Sequence, residues 1–502
     1  MDAALAALES AAFGTSRRRD RFLAVARTAH EQGWGREAFS MRDVMLTLLI
    51  VGSLPFVTLS PYLGVMLFNW LSLMSPNRLA YGFAVDAPFA MVVAVVTLFA
   101  WLISREPKRY ALTALGVLLL LWGLWITITT ATAISPELAL VKWANTMKTL
   151  LIAALVMILS TNRARITAMV WVCALSVGFY GIKGGLWWIL HGGAWPVVGP
   201  ESTQMADGNQ LALALCMILP LIFYLYHVVE HRLLRWGILG AGFLNLIAIF
   251  GTYSRGGLIA LGVVGSFLLW KSRHRVMFAL VGAVIFFTAA PLVPQKWIDR
   301  MTTIESYDED NSANLRFQWW QMARRIARDL PITGGGFSVF MNPDVYARYN
   351  PEADHPRDVH SIYFEVIGEH GYVGLVIFMA LLGAAFLTAS KTIFMARRHK
   401  ELRWAADLAR MLQVSLAGYA TAGAFLTLAT SHEYYQVVGL IGALEVYVRQ
   451  AVKAKKAGLP IEPEQPGRWD WLKPPQSPRR LKAGRPKPQP RPVLAPRPSG
   501  AR

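Results

Sequence analysis

Charge is scarce in this chain and cysteine almost absent. Only 16% of its 502 residues are Asp, Glu, Lys or Arg, whereas 54% are hydrophobic and the mean hydropathy is +0.38. A soluble enzyme of this length needs a larger charged surface, so composition excludes that class and points to a polytopic membrane protein. The two cysteines, Cys173 and Cys216, fall inside apolar runs, which excludes a disulfide framework or a cysteine metal cluster and leaves the redox compartment unread. Acidic residues are fewer than basic ones, 31 against 50, for a net charge of +19. Residues 1–40 lack an apolar run long enough for a secretion signal and read as an amphipathic or disordered cytoplasmic extension. No internal repeat suggests an inverted-repeat transporter.

What is abundant is apolar sequence of bilayer-spanning length, about 20 residues. Such stretches recur at 87–104, 110–136, 149–162, 166–190, 208–229, 236–254, 256–270, 276–295, 371–390, 411–431 and 434–448. Lys and Arg resist translocation, and the breaks richest in them fall at every second crossing: Arg105/Lys108/Arg109, Arg163/Arg165, Arg232/Arg235, Lys271/Arg273/Arg275 and Lys391/Arg397/Arg398/Lys400/Arg403. These face the cytoplasm. The largest intervening break, 296–360, has eight Lys/Arg against ten Asp/Glu and suits the far side. Residues 44–77 form an uncharged run of 34 residues containing Pro55 and Pro61. With Arg17, Arg18, Arg19 and Arg21 inside, parity predicts one crossing here plus a re-entrant or interfacial piece. The expected fold is an all-α polytopic membrane protein of about twelve transmembrane helices with one large periplasmic loop.

The division along the chain follows: a cytoplasmic extension at 1–40, an N-terminal membrane region at 41–200, a catalytic membrane region at 201–450 that includes the loop 296–360, and a tail at 451–502. The tail holds twelve of the 27 prolines and thirteen Lys/Arg against three Asp/Glu. That composition cannot bury a core and predicts a disordered basic cytoplasmic segment.

Chemistry requires polar groups where lipid forbids idle ones, and three places qualify. Gly251-Thr252-Tyr253-Ser254-Arg255-Gly256-Gly257 is a tight outward turn. It sets a guanidinium fork, which matches phosphate oxygens, beside bare amides at a helix start. The stretch from Asn314 to Arg325 alternates Arg316, Arg324 and Arg325 with Phe317, Trp319 and Trp320 on a helical pattern, followed by Gly334-Gly335-Gly336; it suits a helix at the interface. The third runs from Asp358 to Gly371 into a span and carries His360, Glu365, Glu369 and His370. An imidazole titrates near neutrality and can accept a proton from an attacking hydroxyl. At helical spacing Glu365 and Glu369 point well away from His360 and do not read as its orienters, and His370 reads as structural. Asp308-Glu309-Asp310 matches the metal-holding DxD signature but faces away from nucleotide sugars, and reads as a solvated acidic loop.

Five separated stretches in order, Met41-Arg42-Asp43, Leu73 to Ala84, Gly178 to Gly185, Tyr253-Ser254-Arg255-Gly256 and His360-Ser361-Ile362-Tyr363-Phe364, resemble the O-antigen ligase and polymerase family. The likeness is closest to its branch of O-glycosylation ligases associated with exosortase A systems. It runs from about Met41 to His432, so Met41 is expected to be the physiological start. The resemblance implies a GT-C-like glycosyltransferase of the bacterial inner membrane. Such an enzyme moves a glycan from an undecaprenyl-diphosphate carrier to an acceptor hydroxyl on a protein, lipid or saccharide at the periplasmic face, with inversion, and without a metal, another cofactor or nucleic acid. Residue by residue, it implies a catalytic base at His360 and catalytic arginines at Arg255 and Arg316. Substrate contacts are expected from Tyr253, Ser254, Gly256, Lys183, Asn209 and Tyr363. A polymerase joining lipid-linked repeat units is the alternative within the same chemistry. A lipid-linked sugar transporter is the alternative outside it, and it would need charges deep in the central spans, which look nearly charge-free.

Overall fold

The computed structural model describes residues 40–108, 112–271, 295, 297–298, 307–351, 356–459 and 461. Among these, the regular structure is helical. The order is α1 (Met41–Leu59), α2 (Pro61–Met74), α3 (Phe89–Ile103), α4 (Ala114–Ala131), α5 (Pro136–Leu159), α6 (Arg163–Leu190), α7 (Gly208–Val228), α8 (Arg232–Gly251), α9 (Arg255–Lys271), α10 (Tyr307–Asp329), α11 (Pro343–Tyr349), α12 (Ile362–Ala396), α13 (Arg403–Gly423) and α14 (His432–Lys456). Seven are long and apolar enough to cross a bilayer, and α2, α3 and α9 are shorter apolar helices. This is an integral membrane bundle. The expected span at 276–295 falls almost wholly outside the described residues, as do residues 1–39 and 462–502.

Side-chain ties define two ends. At one, Arg165 grips Glu106 with both terminal nitrogens, at 3.0 and 2.6 Å, and Arg163 lies 5.2 Å over the Trp404 ring. Lys455 reaches Glu401 at 2.9 Å there. The breaks that carry Arg163, Arg165 and Arg403 thus lie at a single end, the arrangement that charge counting expects of them. At the other end, Asn342 donates to Ser135 at 2.7 Å, Gln204 meets Thr430 and Tyr253 donates to the Gly193 carbonyl.

Residues 44–77, expected as one crossing plus a re-entrant or interfacial piece, form two helices that meet at Ser60: α1 is long and apolar enough to cross a bilayer, whereas α2, in which Pro61, lacking an N–H, takes the first helical position, is shorter. The Tyr62 hydroxyl donates to the Arg165 carbonyl, so the α1–α2 hairpin turns at the basic end. The start of α1 lies at the opposite end, where buried Asp43 accepts the N–H groups of Gly82 and Ala84 at 3.1 and 2.8 Å. Residue 41 is therefore not on the side of the basic breaks. One expectation is corrected: the central spans are not nearly charge-free, since Lys142, Glu365, Glu369, Arg165, Glu106, Glu433 and Glu445 lie within the bundle, the first five and Glu445 in ion pairs. Mutual neutralisation lets them stay.

Packing explains several glycines. On α6, Gly181 and Gly185 face α8, and a Cβ on Gly185 would lie 2.1 Å from the Leu244 carbonyl oxygen, so only glycine lets these backbones approach. Helix α12 is broken at Gly371 (φ 69°, ψ −172°). The break strands carbonyls, and the segment 331–336 threads in to satisfy them: Gly335 and Gly336 donate to Gly368 and Glu369, both at 2.9 Å, and Tyr372 donates to Pro331 at 2.9 Å. The outer segment is thus a small structured unit. On α10, Trp319, Met322, Ala323, Ile326 and Ala327 turn inward against Val339, Phe340, Tyr346 and Val359. The apolar face of the amphipathic pattern packs on protein.

Candidate functional site

Three segments far apart in sequence meet at the end opposite the basic breaks. The first is the turn before α9. Its Ser254 hydroxyl accepts the Gly257 N–H at 3.0 Å, so Ser254 caps the helix and Arg255 is its first residue. Tyr253, in the left-handed region at φ 56°, anchors the turn through its hydroxyl to Gly193. The second is α10, which carries Arg316 and, three residues on, Trp319. The third is His360, also left-handed at φ 47°, just ahead of α12.

Their mutual placement is read from two contacts. The Trp319 ring lies 5.2 Å from the His360 imidazole. Trp320 stacks on Phe364 at 5.0 Å and 11° and donates to the Val359 carbonyl at 3.0 Å, locking α10 onto the residues flanking His360. Burial and the nearby charge of Arg255 both lower the Arg316 pKa, so the two guanidinium groups share one electrostatic neighbourhood. Burial holds the His360 imidazole below its usual value, with Arg316 and Arg357 pushing the same way and Asp207 opposing. The ring is therefore neutral near pH 7, as a proton acceptor must be. Like-charged guanidinium groups repel, and an anion between them relieves the cost.

The remaining expected residues scatter around this centre. Gly256 faces Phe425, and Asn209 is exposed in the first turn of α7, two residues beyond Asp207, whose side chain caps that helix. The Tyr363 hydroxyl donates to the Ala420 carbonyl at 2.9 Å. Lys183 is exposed on α6, and among the described residues no recorded contact ties its side chain to the turn or to His360. The side chains of Asp308, Glu309 and Asp310 lie outside what is described. His370 is fully enclosed, its Nδ1 paired with the Thr129 hydroxyl at 2.7 Å and its ring edge-on to Phe337 at 4.5 Å.

Sequence reasoning missed a second polar group beneath the first. The Lys142 ammonium lies 2.8 Å from both Glu365 and Glu369, and the two carboxylates accept the N–H groups of Ala429 and Ser338, each at 2.8 Å. Both acids turn away from His360, as their helical spacing predicts. The one available signal was a lysine seven residues into the helix opened by Pro136, where a surface role is out of reach.

The seven long apolar helices define a multi-pass membrane protein, and two arginines and a histidine come together at one end of its bundle. A comparison of families is more specific: residues 240–379, which carry Arg255, Arg316 and His360, match the model of the O-antigen ligase family. Residues 41–230 match a family of unknown function, DUF5935. No curated protein matches the chain.

Proposed function

We propose that this protein is a lipid-linked glycan ligase of the bacterial inner membrane, of the O-glycosylation type associated with exosortase systems, working at the periplasmic face. The donor is an undecaprenyl-diphosphate glycan and the acceptor a hydroxyl on a protein, lipid or saccharide. The observation that carries the reading is the convergence of Arg255, Arg316 and His360 from three segments at one end of the bundle.

His360 takes the proton as the acceptor oxygen attacks the anomeric carbon. The bond from that carbon to the diphosphate oxygen breaks on the opposite face, and configuration inverts. The carrier diphosphate leaves with the bonding electrons, and Arg255 and Arg316 offset the charge that builds on it, the role a metal takes in other glycosyltransferases. Because both cations are fixed before reaction, little reorganisation is needed.

The test is reconstitution of the full chain in liposomes with lipid-linked glycan extracted from the cells that make it, following free carrier diphosphate and labelled acceptor. His360→Ala is expected to lower transfer about 10²–10⁴-fold while the protein still inserts and unfolds cooperatively. Ordinary turnover by that variant would remove His360 from the mechanism. Longer lipid-linked chains formed without acceptor would make the enzyme a polymerase.

A further inference from the structure

His360 holds a backbone conformation that a non-glycine residue adopts only when its surroundings impose it. The imposing contact is specific: the His360 N–H donates to the Thr427 hydroxyl at 2.9 Å. Thr427 belongs to the connection between α13 and α14, which is itself held from several sides. Tyr419 and Tyr435 donate to the Leu428 and Ala429 carbonyls, both at 3.0 Å, and Glu365 accepts the Ala429 N–H at 2.8 Å. Glu365 lies one turn into α12 and is nearly inaccessible, and its other oxygen is fixed by Lys142 at 2.8 Å.

We infer that Glu365, oriented by Lys142, is a positioning residue for His360, acting through Ala429 and Thr427. The acid never meets the imidazole. It clamps the segment whose hydroxyl sets the His360 backbone, and so sets the line from the imidazole to the acceptor. Lys142 sits in the segment that matches the family of unknown function, which gives that half of the chain a part in the chemistry of the other. Glu369 shares Lys142 but accepts the Ser338 N–H, on the segment beside the α12 break rather than on the one that holds His360. The two carboxylates therefore have separable duties.

The inference rests on the proposed role of His360, and the experiment separates the two. In full-length protein in liposomes, with the same extracted lipid-linked glycan, kcat and donor KM are measured for Thr427→Val, Thr427→Ser, Glu365→Leu and Glu365→Gln beside His360→Ala. Misplacing a catalytic group by about 1 Å costs on the order of 10²-fold. Thr427→Val and Glu365→Leu are expected to lose kcat by about that factor with donor KM within about twofold. Thr427→Ser and Glu365→Gln keep an acceptor for the N–H concerned and are expected to restore most of it. Glu365→Leu leaves Lys142 paired with Glu369, and if it does not fold, Thr427→Val, a near-isosteric change at a half-buried site, decides alone. If His360→Ala is inactive while Thr427→Val turns over like the wild type, or if the conservative variants fail as badly as the disruptive ones, the positioning role is overturned. If His360→Ala is active, the proposed function falls first.

Discussion

Trp319 and His360 lie 5.2 Å apart, ring centre to ring centre, at an interplanar angle of 46°. That contact ties the amphipathic helix of the outer segment to the residue that begins the descent into the membrane. It holds the imidazole near Arg316, one turn earlier on the same helix, whose charge adds to burial in lowering the His360 pKa.

The first consequence is a pH dependence. Burial and the neighbouring arginines hold His360 below its ordinary value of about 6.5, so the neutral base persists into mildly acid solution. The acid limb of kcat/KM is expected below pH 6.5. Removing the positive charge of Arg357 by Arg357→Gln is expected to move that limb upward, and Asp207→Asn to move it down. Stability follows the same sign: the unfolded chain binds this proton more readily, so the contribution is full above about pH 6.5 and is lost as pH falls towards the folded-state pKa. A pH–rate profile with its acid limb above 6.5, or unmoved by both substitutions, would contradict the electrostatics.

Arg255 opens α9 just after its Ser254 cap, and its planar fork suits a diphosphate better than a point charge does. Arg255→Lys keeps the charge and loses the bidentate geometry. Transfer is expected to fall about 10²-fold, comparable to the loss of one preorganised donor at an oxyanion. Wild-type turnover would mean that only the net charge matters.

Gly336 is the tightest point of the outer segment. Its φ is 85°, and a Cβ there would stand 2.2 Å from the Ala133 Cβ. Gly336→Ala is expected to lose about 1–3 kcal/mol to overpacking and about 1–2 kcal/mol more to the left-handed backbone. Thermal unfolding in detergent would register this as a lower midpoint; an unchanged midpoint would show that the segment does not seat against α4 in solution.

Sequence periodicity and charge counting located most of the helices, because a spanning segment must be apolar along its whole length. They failed where polar side chains are buried in pairs. Hydropathy placed the spans at 149–162 and 371–390, whereas α5 begins at Pro136 and α12 at Ile362. The omitted turns carry Lys142, Glu365, Glu369 and His370, the polar cluster that the bundle pairs internally. Lys142 and Glu365 are 223 positions apart, and no local pattern connects them. The same holds for Thr427 and Asp207. Arg255, Arg316 and His360 stood out because each lies in a short stretch with its own signature. The anchoring of α1 was not legible either, because Asp43, which fixes the register through two amides of residues 82–84, looks like an ordinary helix-start acid.

That aspartate bears on how the whole polypeptide is threaded. With residue 43 fastened beside Gly82 and the far end of α14 fastened to Glu401 through Lys455, the chain enters the bundle at one face and leaves it at the other. Met41 and Lys456, the two limits of the helical bundle, therefore stand at opposite faces of it.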